Sequence, residues 1–344
     1  MSPNNYTTRE SGFELMRIVA MLMIIAHHLS LHGVLNSGVY DSGDTTNKIL
    51  TQFYFPGGET GVGLFFMLTG YFLINSNKKR NITKLLLQIA FYGILLALLA
   101  LYFYRGKEGM TTEALSFATV PISSAKWWFV SYYVLLLLIA PQLNGLLRKL
   151  NKKGFLLLLL MLCVFEYLIQ WMLATPLLRI SMAVFFYSLG AYLRNFELRV
   201  SKIILVAVVV ASWSFYALAQ YFKIPFSFMM GKICVVACCI SLFMLFKKMD
   251  IHSKAINLVA TTTLGIYMIH DNNILRNIIW NDIFKIPSNY ASDWYWLLSL
   301  SDIISVFVIG MAIDYLRQLL LEQHLLKSTE LFKKFTNNYL YKND

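Results

Sequence analysis

Charged residues are scarce in this sequence, since Asp, Glu, Lys and Arg together make up 14% of its 344 residues. Hydrophobic residues account for 58% and aromatic residues for 15%, which is well outside the composition of an ordinary soluble domain. Water would not dissolve the surface of such a chain. The composition therefore excludes a soluble enzyme or binding domain and predicts an integral membrane protein.

Cysteine is scarce as well, with only Cys163, Cys234, Cys238 and Cys239 in the chain. All four fall within predicted helices, and their spacing is not that of metal ligands. We interpret them as small apolar packing residues and expect no metal.

Acidic residues are outnumbered by basic ones, 18 against 30, which gives a formal net charge of +12. An excess of this size is also found in nucleic-acid-binding proteins. Here, however, the positive charge is dispersed over many short segments and is not gathered on one face. No nucleic-acid partner is expected, and the lipid bilayer explains the charge better.

The apolar residues come in blocks of roughly 17 to 25, the length an α-helix needs to cross about 30 Å of hydrocarbon. We predict an all-α bundle of about ten transmembrane helices, near residues 13–32, 61–75, 85–104, 127–147, 154–173, 177–193, 202–221, 226–246, 255–275 and 295–316. The second block is short. Gly57 and Gly58 precede it, and Gly61 and Gly63 lie at its start. It is expected either to enter the membrane irregularly or to pack closely on a neighbour.

The orientation follows from the basic residues, because Lys and Arg accumulate in short cytoplasmic loops. With the N-terminus inside, 20 of the 30 Lys and Arg residues fall in cytoplasmic segments and nine in outer segments. Both termini are therefore predicted to be cytoplasmic. Residues 1–316 then form one membrane domain, and residues 317–344 form a basic tail along the inner membrane surface.

Ionisable groups inside the helices are the candidates for function, because burying them in lipid costs several kcal/mol unless they face a cavity or a partner. The first predicted helix carries Glu14, Arg17, His27 and His28. Arg17 and His28 differ by about 20° around the helix axis and by roughly 16 Å along it. Glu14 lies on nearly the same stripe and can pair with Arg17, whereas His27 points away.

This spacing suits an anionic cytosolic ligand that Arg17 anchors while its far end reaches the imidazole of His28, which suggests group transfer. In the alternative interpretation, Arg17 extends to the lipid phosphates with Glu14 as its partner, and His28 only hydrogen-bonds a neighbouring helix. The first helix alone does not decide between the two.

Across nearly its whole length the sequence resembles the acyltransferase type-3 family, multipass membrane proteins that acylate bacterial surface polysaccharides and related acceptors. The resemblance rests on Arg17 and His28 and on three further segments, which are Val62 to Leu73 with the basic run after it, Trp127-Trp128-Phe129-Val130, and Leu264 to His270. Each motif is degenerate, but their order and spacing together are fairly specific.

The resemblance implies a cytosolic acyl-CoA donor, usually acetyl-CoA, and a glycan or glycolipid hydroxyl as acceptor, in a bacterial-type plasma membrane. It implies that His28 is the general base for the acceptor hydroxyl or takes the acyl group itself. It also implies that Arg17 holds His28 in register with CoA. The phosphates of CoA would meet a basic run made of Lys78, Lys79, Arg80 and Lys84. This run is mostly lysine where the family more often has paired arginines, and its alternative interpretation is a topology signal alone.

Two further candidates, Tyr267 and His270, lie three positions apart on one face of the ninth predicted helix, followed by Asp271 and Arg276. They could orient a sugar or support His28. A Tyr-x-x-His pair at a helix end is equally typical of an interfacial aromatic anchor.

The remaining candidates are two acidic residues and a tryptophan pair. Glu59 and Glu166 are expected either to line a substrate cavity or to be buried partners of basic residues. Trp127 and Trp128 begin the fourth predicted helix, where an aromatic belt at the membrane boundary is favoured over a sugar platform. We expect one continuous cavity through the first, second and ninth helices.

Two functions from other classes also need many helices and intramembrane charges. A transporter or flippase of a lipid-linked sugar often has repeated halves with matching broken helices, and no such correspondence is found here. A polysaccharide polymerase or ligase is expected to have a large outer loop rich in Arg, whereas the longest outer segment, 33–60, contains no Arg. Both are less favoured than acyl transfer.

Overall fold

The protein is described by a computed structural model that covers residues 10–76, 82–104, 110–122, 126–169, 179–225 and 227–322. Lys78, Lys79, Arg80 and the end of the predicted basic tail lie outside the described residues. Within these ranges every regular element is a helix. The predicted all-α architecture is therefore confirmed for the described part of the chain.

The described residues contain fourteen α-helices, which we number in chain order. They are α1 (Ser11–His28), α2 (Thr45–Tyr54), α3 (Gly57–Leu73), α4 (Thr83–Phe103), α5 (Met110–Thr119), α6 (Trp128–Leu147), α7 (Lys152–Val164), α8 (Arg179–Asn195), α9 (Lys202–Tyr221), α10 (Ser227–Lys247), α11 (Lys254–Ala260), α12 (Thr263–His270), α13 (Ile286–Asn289) and α14 (Tyr295–Arg317).

Six helical stretches in the described part of the chain are long and apolar enough to cross a membrane. They are Ser11–Leu35, Thr83–Phe103, Trp128–Leu147, Lys202–Tyr221, Met230–Lys247 and Tyr295–Leu320. Of the other predicted crossings, α3 and α8 are regular helices of 17 residues each. The structure thus has a membrane-type helical bundle with six candidate spans. The number of ten transmembrane helices remains a prediction.

The ninth predicted helix is not continuous, because it breaks between α11 and α12. The hydroxyls of Thr261, Thr262 and Thr263 donate to carbonyl oxygens three positions earlier in the chain, at 2.7, 2.7 and 2.9 Å. Such bonds offer the backbone an alternative to the helical ladder and favour a helix end. The prediction of a single helix over 255–275 was wrong for this reason.

A buried polar cluster holds this break against α4 and α14. The carboxylate of Asp314 accepts hydrogen bonds from Tyr92 and Arg317 at 2.7 Å each and from Gln88 at 3.2 Å. Gln318 joins the same carboxylate to Thr261 at the break. A buried carboxylate with this many donors is satisfied, so the break is a fixed feature of the fold.

The glycines of α3 serve close packing. A Cβ atom at Gly57 would lie 2.4 Å from the carbonyl oxygen of Met23, and one at Gly61 would lie 2.6 Å from that of Ala20. Farther along, Gly70 and Gly190 bring α3 and α8 together in the same way, with 1.9 Å to the opposing carbonyl oxygens. Of the two expectations for this helix, close packing is confirmed, and the helix itself is regular from Gly57 onward.

α1 lies in the interior of the bundle and packs against α3, α10, α11, α12 and α14. Its α-helical part ends at His28, and the helix continues with π-type hydrogen bonding over Leu29–Leu35. Single π turns inside α-helices occur frequently at functional sites. His28 is the last residue of α1 before the π-type segment.

Candidate functional site

Two cavities lie at opposite ends of α1. The larger, about 650 Å³, is lined by His27, His28 and His32, and we call it the histidine cavity. The smaller, about 330 Å³, is lined by Arg17 and Lys84, and we call it the arginine cavity. Both volumes lie within or close to the range of about 300–1,000 Å³ typical of small-molecule sites.

A chain of hydrogen bonds orients His28. Nδ1 of His270 lies 2.7 Å from the carbonyl oxygen of Ile266, and because a carbonyl only accepts, this nitrogen carries a proton. Nε2 of a neutral His270 is then an acceptor, and it lies 3.0 Å from Nδ1 of His28. His28 therefore donates through Nδ1, which leaves a lone pair on its Nε2.

That lone pair lies beside a carboxylate. Nε2 of His28 is 3.5 Å from Oδ2 of Asp271, and Nε2 of His32 is 3.8 Å from Oδ1 of the same residue. Arg276 donates to Oδ1 at 2.7 Å and holds the carboxylate in place. An imidazolium formed at His28 would have the carboxylate of Asp271 next to its new N–H.

Charged and aromatic groups line the rest of the histidine cavity. Glu59 forms an ion pair with Lys232, and Ser181 donates to Glu166. The guanidinium of Arg179 lies 4.3 Å from the ring centroid of Trp128. The cavity wall thus offers a cation stacked on an aromatic ring beside acidic oxygens.

The arginine cavity has a different lining. Arg17 donates to Glu14 at 2.9 Å, as predicted, and its side chain reaches this cavity together with Lys84. Gln88 and Thr261 add neutral polar groups, the latter from the break before α12. The charged groups that line this cavity are therefore cationic, whereas the histidine cavity carries both signs.

Four helices, α1, α3, α6 and α12, contribute to both cavities. On α6 the neighbours Trp128 and Phe129 face different cavities, and on α12 the change falls between Leu264 and Tyr267. The rings of Phe129 and Tyr267 meet edge to face with centroids 5.4 Å apart. An aromatic partition thus lies between the two cavities.

This arrangement corrects the expectation of a single continuous cavity. Arg17 and His28 share a helix face in the sequence, yet they line separate cavities. His27, which was expected to point away, lines the histidine cavity and approaches the carbonyl oxygen of Phe55 at 2.6 Å. The face calculation assumed that one ligand spans the helix, and in the structure such a ligand would have to pass the rings of Phe129 and Tyr267.

Two membrane-anchor interpretations are also wrong. Tyr267 and His270 are fully buried, and His270 bonds to His28 behind the cavity wall. Trp127 is 1% exposed, and its Nε1 donates to the carbonyl oxygen of Met268 at 3.0 Å, so it joins α6 to α12. Trp128 and Tyr267 line the histidine cavity, together with Glu59 and Glu166.

The sequence interpretation missed His32, Arg179 and Lys232 at this site. The spacing of His28 and His32, four positions apart, could have revealed the first of them, since such residues share a helix face. Arg179 and Lys232 were counted only among the nine basic residues of the outer segments. No local signal places either of them beside α1.

Comparison with known proteins identifies the family. A family model described as an acyltransferase domain matches residues 10–316, nearly the whole of the chain. No curated protein and no solved structure matches the chain. Together with the helical bundle and the buried imidazole of α1, the match establishes that the chain belongs to the acyltransferase type-3 family of membrane proteins.

Proposed function

We propose that this protein is an O-acyltransferase that moves an acyl group, with acetyl as the expected group, from cytosolic acyl-CoA to a hydroxyl of a cell-surface or exopolysaccharide sugar or of its lipid-linked precursor. The observation that carries the proposal is the hydrogen-bond chain from Ile266 through His270 to His28. It leaves the Nε2 lone pair of His28 beside Asp271, at the wall of a cavity large enough for a sugar.

In direct transfer the acceptor hydroxyl gives its proton to Nε2 of His28 as its oxygen attacks the thioester carbonyl carbon. The carbon–sulfur bond then breaks, and the CoA thiolate leaves with the electron pair and takes up the proton that His28 releases. Asp271 stabilises the imidazolium between these events, and His270 keeps the ring in the required tautomer.

In the covalent alternative, Nε2 of His28 attacks the thioester carbon itself and forms an acyl-imidazolium, because Nδ1 keeps its proton. The CoA thiolate leaves with the electron pair of the carbon–sulfur bond. The sugar hydroxyl then attacks the acyl carbon, the carbon–nitrogen bond breaks to restore His28, and the hydroxyl proton passes to the thiolate. Both routes use the same lone pair. The hydrogen-bond chain to His270 supports either route.

The arginine cavity is the proposed donor site. Arg17 and Lys84 supply positive charge for the phosphates of CoA, and the cavity of about 330 Å³ suits the pantetheine arm better than the whole molecule. The nucleotide would then lie outside it, and the basic run of Lys78, Lys79 and Arg80, which precedes α4 in the sequence, is its proposed partner. The absence of acidic residues from the described cavity lining supports this assignment.

The histidine cavity is the proposed acceptor site. Sugars combine hydroxyl groups with flat faces of C–H bonds, so they bind where aromatic rings and carboxylates alternate. Trp128 provides such a ring, and Glu59 and Glu166 provide carboxylate oxygens. Tyr267 contacts Phe129 between the two cavities, so the acyl group would pass beside these rings to reach His28.

The proposed topology has ten crossings, cytoplasmic termini and a bacterial-type plasma membrane. Groups at the histidine cavity come late in α1 and α9 and directly after α7, but early in α3, α6, α8 and α10. This alternation supports one crossing each for these helices, with α11 and α12 together forming another. The cationic arginine cavity then faces the cytoplasm, where acyl-CoA is found.

The test is acyl transfer from labelled acetyl-CoA to membrane glycan, in vesicles that contain matched amounts of wild-type protein, His28→Ala or His252→Ala. His252 is exposed and pairs with Asp250, so it controls for the loss of an imidazole. Label that requires His28 but not His252 supports the proposal. Wild-type silence with acetyl-CoA and with other acyl-CoAs would overturn it and favour a lipid-linked sugar transporter or flippase.

A further inference from the structure

We propose that His28, His32 and Asp271 form a binding site for a divalent transition-metal ion of the Zn²⁺ type, and that the bound ion inhibits acyl transfer. The metal site itself follows from the geometry of these three side chains. Only its inhibitory effect rests on the proposed function, because the ion would occupy the lone pair that His28 needs as base or nucleophile.

The three side chains already lie close to the geometry of a metal centre. One ligand atom from each residue lies within 4.8 Å of the other two. Oxygens of Asp271 are 3.5 Å from Nε2 of His28 and 3.8 Å from Nε2 of His32. In a tetrahedral zinc site with bonds of about 2.0–2.1 Å, adjacent ligand atoms are about 3.4 Å apart. The two distances to Asp271 exceed this value by a few tenths of an ångström, and the widest pair of the set would have to close by up to about 1.4 Å when an ion binds.

The surrounding groups support metal binding. A histidine that binds a metal through one nitrogen almost always donates its other N–H to a fixed acceptor, and Nδ1 of His28 donates to His270 in this way. Asp271 is held through Oδ1 by Arg276, and its Oδ2 lies 3.5 Å from Nε2 of His28. The fixed tautomer of His28 means that its ligand nitrogen requires no rearrangement.

His32 requires one small adjustment. Its Nδ1 lies 3.2 Å from the amide nitrogen of Asn36, and rotation of this exposed amide by half a turn would present oxygen to an Nδ1–H instead. Nε2 of His32 would then be free to bind the ion. The amide of Asn36 lies at the protein surface, so this rotation breaks no buried contact.

The chemistry of the donor set selects the class of metal. Two imidazole nitrogens and one carboxylate oxygen suit Zn²⁺ and its neighbours in the first transition series, whereas Mg²⁺ and Ca²⁺ prefer oxygen ligands alone. Three protein ligands leave a fourth position for water, and it would face the histidine cavity. Ions would reach the site through this cavity.

The experiment measures binding of Zn²⁺ and of Co²⁺, whose visible spectrum reports its ligands, to the purified full-length protein in lipid nanodiscs after chelator treatment. The wild-type protein is expected to bind one ion per chain, with a tetrahedral Co²⁺ spectrum. His32→Gln is expected to raise the dissociation constant by more than about 100-fold, the upper end for the loss of an outer ligand partner. His252→Gln should bind like the wild type, because this exposed histidine pairs with Asp250 outside the cavities.

A second variant keeps the proposal testable if the loss of His32 harms the fold. His32→Cys retains a ligand at the position, so it should still bind Co²⁺ and should add a thiolate-to-metal absorption band. Absence of that band in a folded His32→Cys protein, no binding by the wild type, or equal binding by His32→Gln would each overturn the site.

Inhibition is measured separately, as the ratio of acyl-transfer rates with and without Zn²⁺ for each protein. The wild type should lose at least about 90% of its rate at saturating Zn²⁺ and recover it with chelator, while His32→Gln should be insensitive at the same concentration. Binding without inhibition would overturn the regulatory part of the proposal. A protein that binds metal but has no acyl-transfer activity with any acyl-CoA would instead overturn the proposed function and leave the metal site standing.

Discussion

The histidine and arginine cavities share four helices, yet their chemistry differs. Every charged side chain in the described lining of the arginine cavity is basic, whereas the histidine cavity combines buried imidazoles with paired carboxylates and cations. On α6, Trp128 lines the histidine cavity and the next residue, Phe129, lines the arginine cavity. Helices that pass both cavities can therefore bind an anionic donor at one end and activate an acceptor at the other.

The largest expected effect is a loss of kcat, which distinguishes the histidine cavity from the arginine cavity. His28→Ala should lower kcat by about 100- to 10,000-fold, the usual contribution of a positioned acid–base group. The KM for acyl-CoA should stay near the wild-type value, because the donor is proposed to bind elsewhere. Initial rates over a range of acyl-CoA concentrations measure both constants. A large rise in this KM would mean that the cavities act as one site.

The second effect concerns the arginine cavity and changes the KM for acyl-CoA more than kcat. Arg17→Gln should raise the KM for acyl-CoA by about 10- to 100-fold, since a hydrogen bond to a charged group is worth about 1.5–3 kcal/mol, and should change kcat much less. Arg199→Gln is the matched control, because Arg199 is exposed and pairs with Glu197. An unchanged KM in Arg17→Gln would limit Arg17 to its ion pair with Glu14.

A third substitution tests whether His270 positions His28. His270→Leu removes the acceptor for Nδ1 of His28 and should lower kcat by about 10-fold or more, with little change in either KM. His270→Gln restores an acceptor and should recover part of the loss. Equal activity of the two variants, at equal amounts of folded protein, would contradict the positioning role.

The smallest expected effect concerns the wall of the histidine cavity. Trp128→Leu should raise the KM for the glycan acceptor by about 2- to 10-fold, in line with about 0.5–1.5 kcal/mol for an aromatic contact. The KM for acyl-CoA should not change. Steady-state kinetics with varied acceptor concentration measures this KM. A change confined to the KM for acyl-CoA would instead place Trp128 at the donor site.

The fold was predicted well where apolar length alone decides it. The blocks at 85–104, 127–147, 202–221 and 295–316 match α4, α6, α9 and α14 within a few residues. The prediction failed at 255–275, where the side chains of Thr261 to Thr263 bond to the backbone. It also missed α2, which lies in the segment 33–60 that was interpreted as an outer loop.

The candidate site was predicted unevenly, for a similar reason. The pairing of Glu14 with Arg17 is local to one helix, so the spacing of three positions was sufficient to predict it. The bond between His28 and His270 joins residues 242 positions apart, and His270 was interpreted equally well as a membrane anchor. Sequence spacing describes a single helix and contains no information about which helix packs against it.

The sequence by itself determined that this chain forms a helical membrane bundle of the acyltransferase type-3 family with an imidazole buried in its first helix. The length of each hydrophobic block and the order of the motifs can be read from the sequence, without any knowledge of how the helices pack. Only the tertiary structure decided that Arg17 and His28 line separate cavities, that His270 sets the tautomer of His28, and that His32 and Asp271 meet at its free nitrogen. These relations depend on the rotation and depth of α3, α6 and α12 against α1, which close packing at glycines and buried hydrogen bonds establish after the helices have formed.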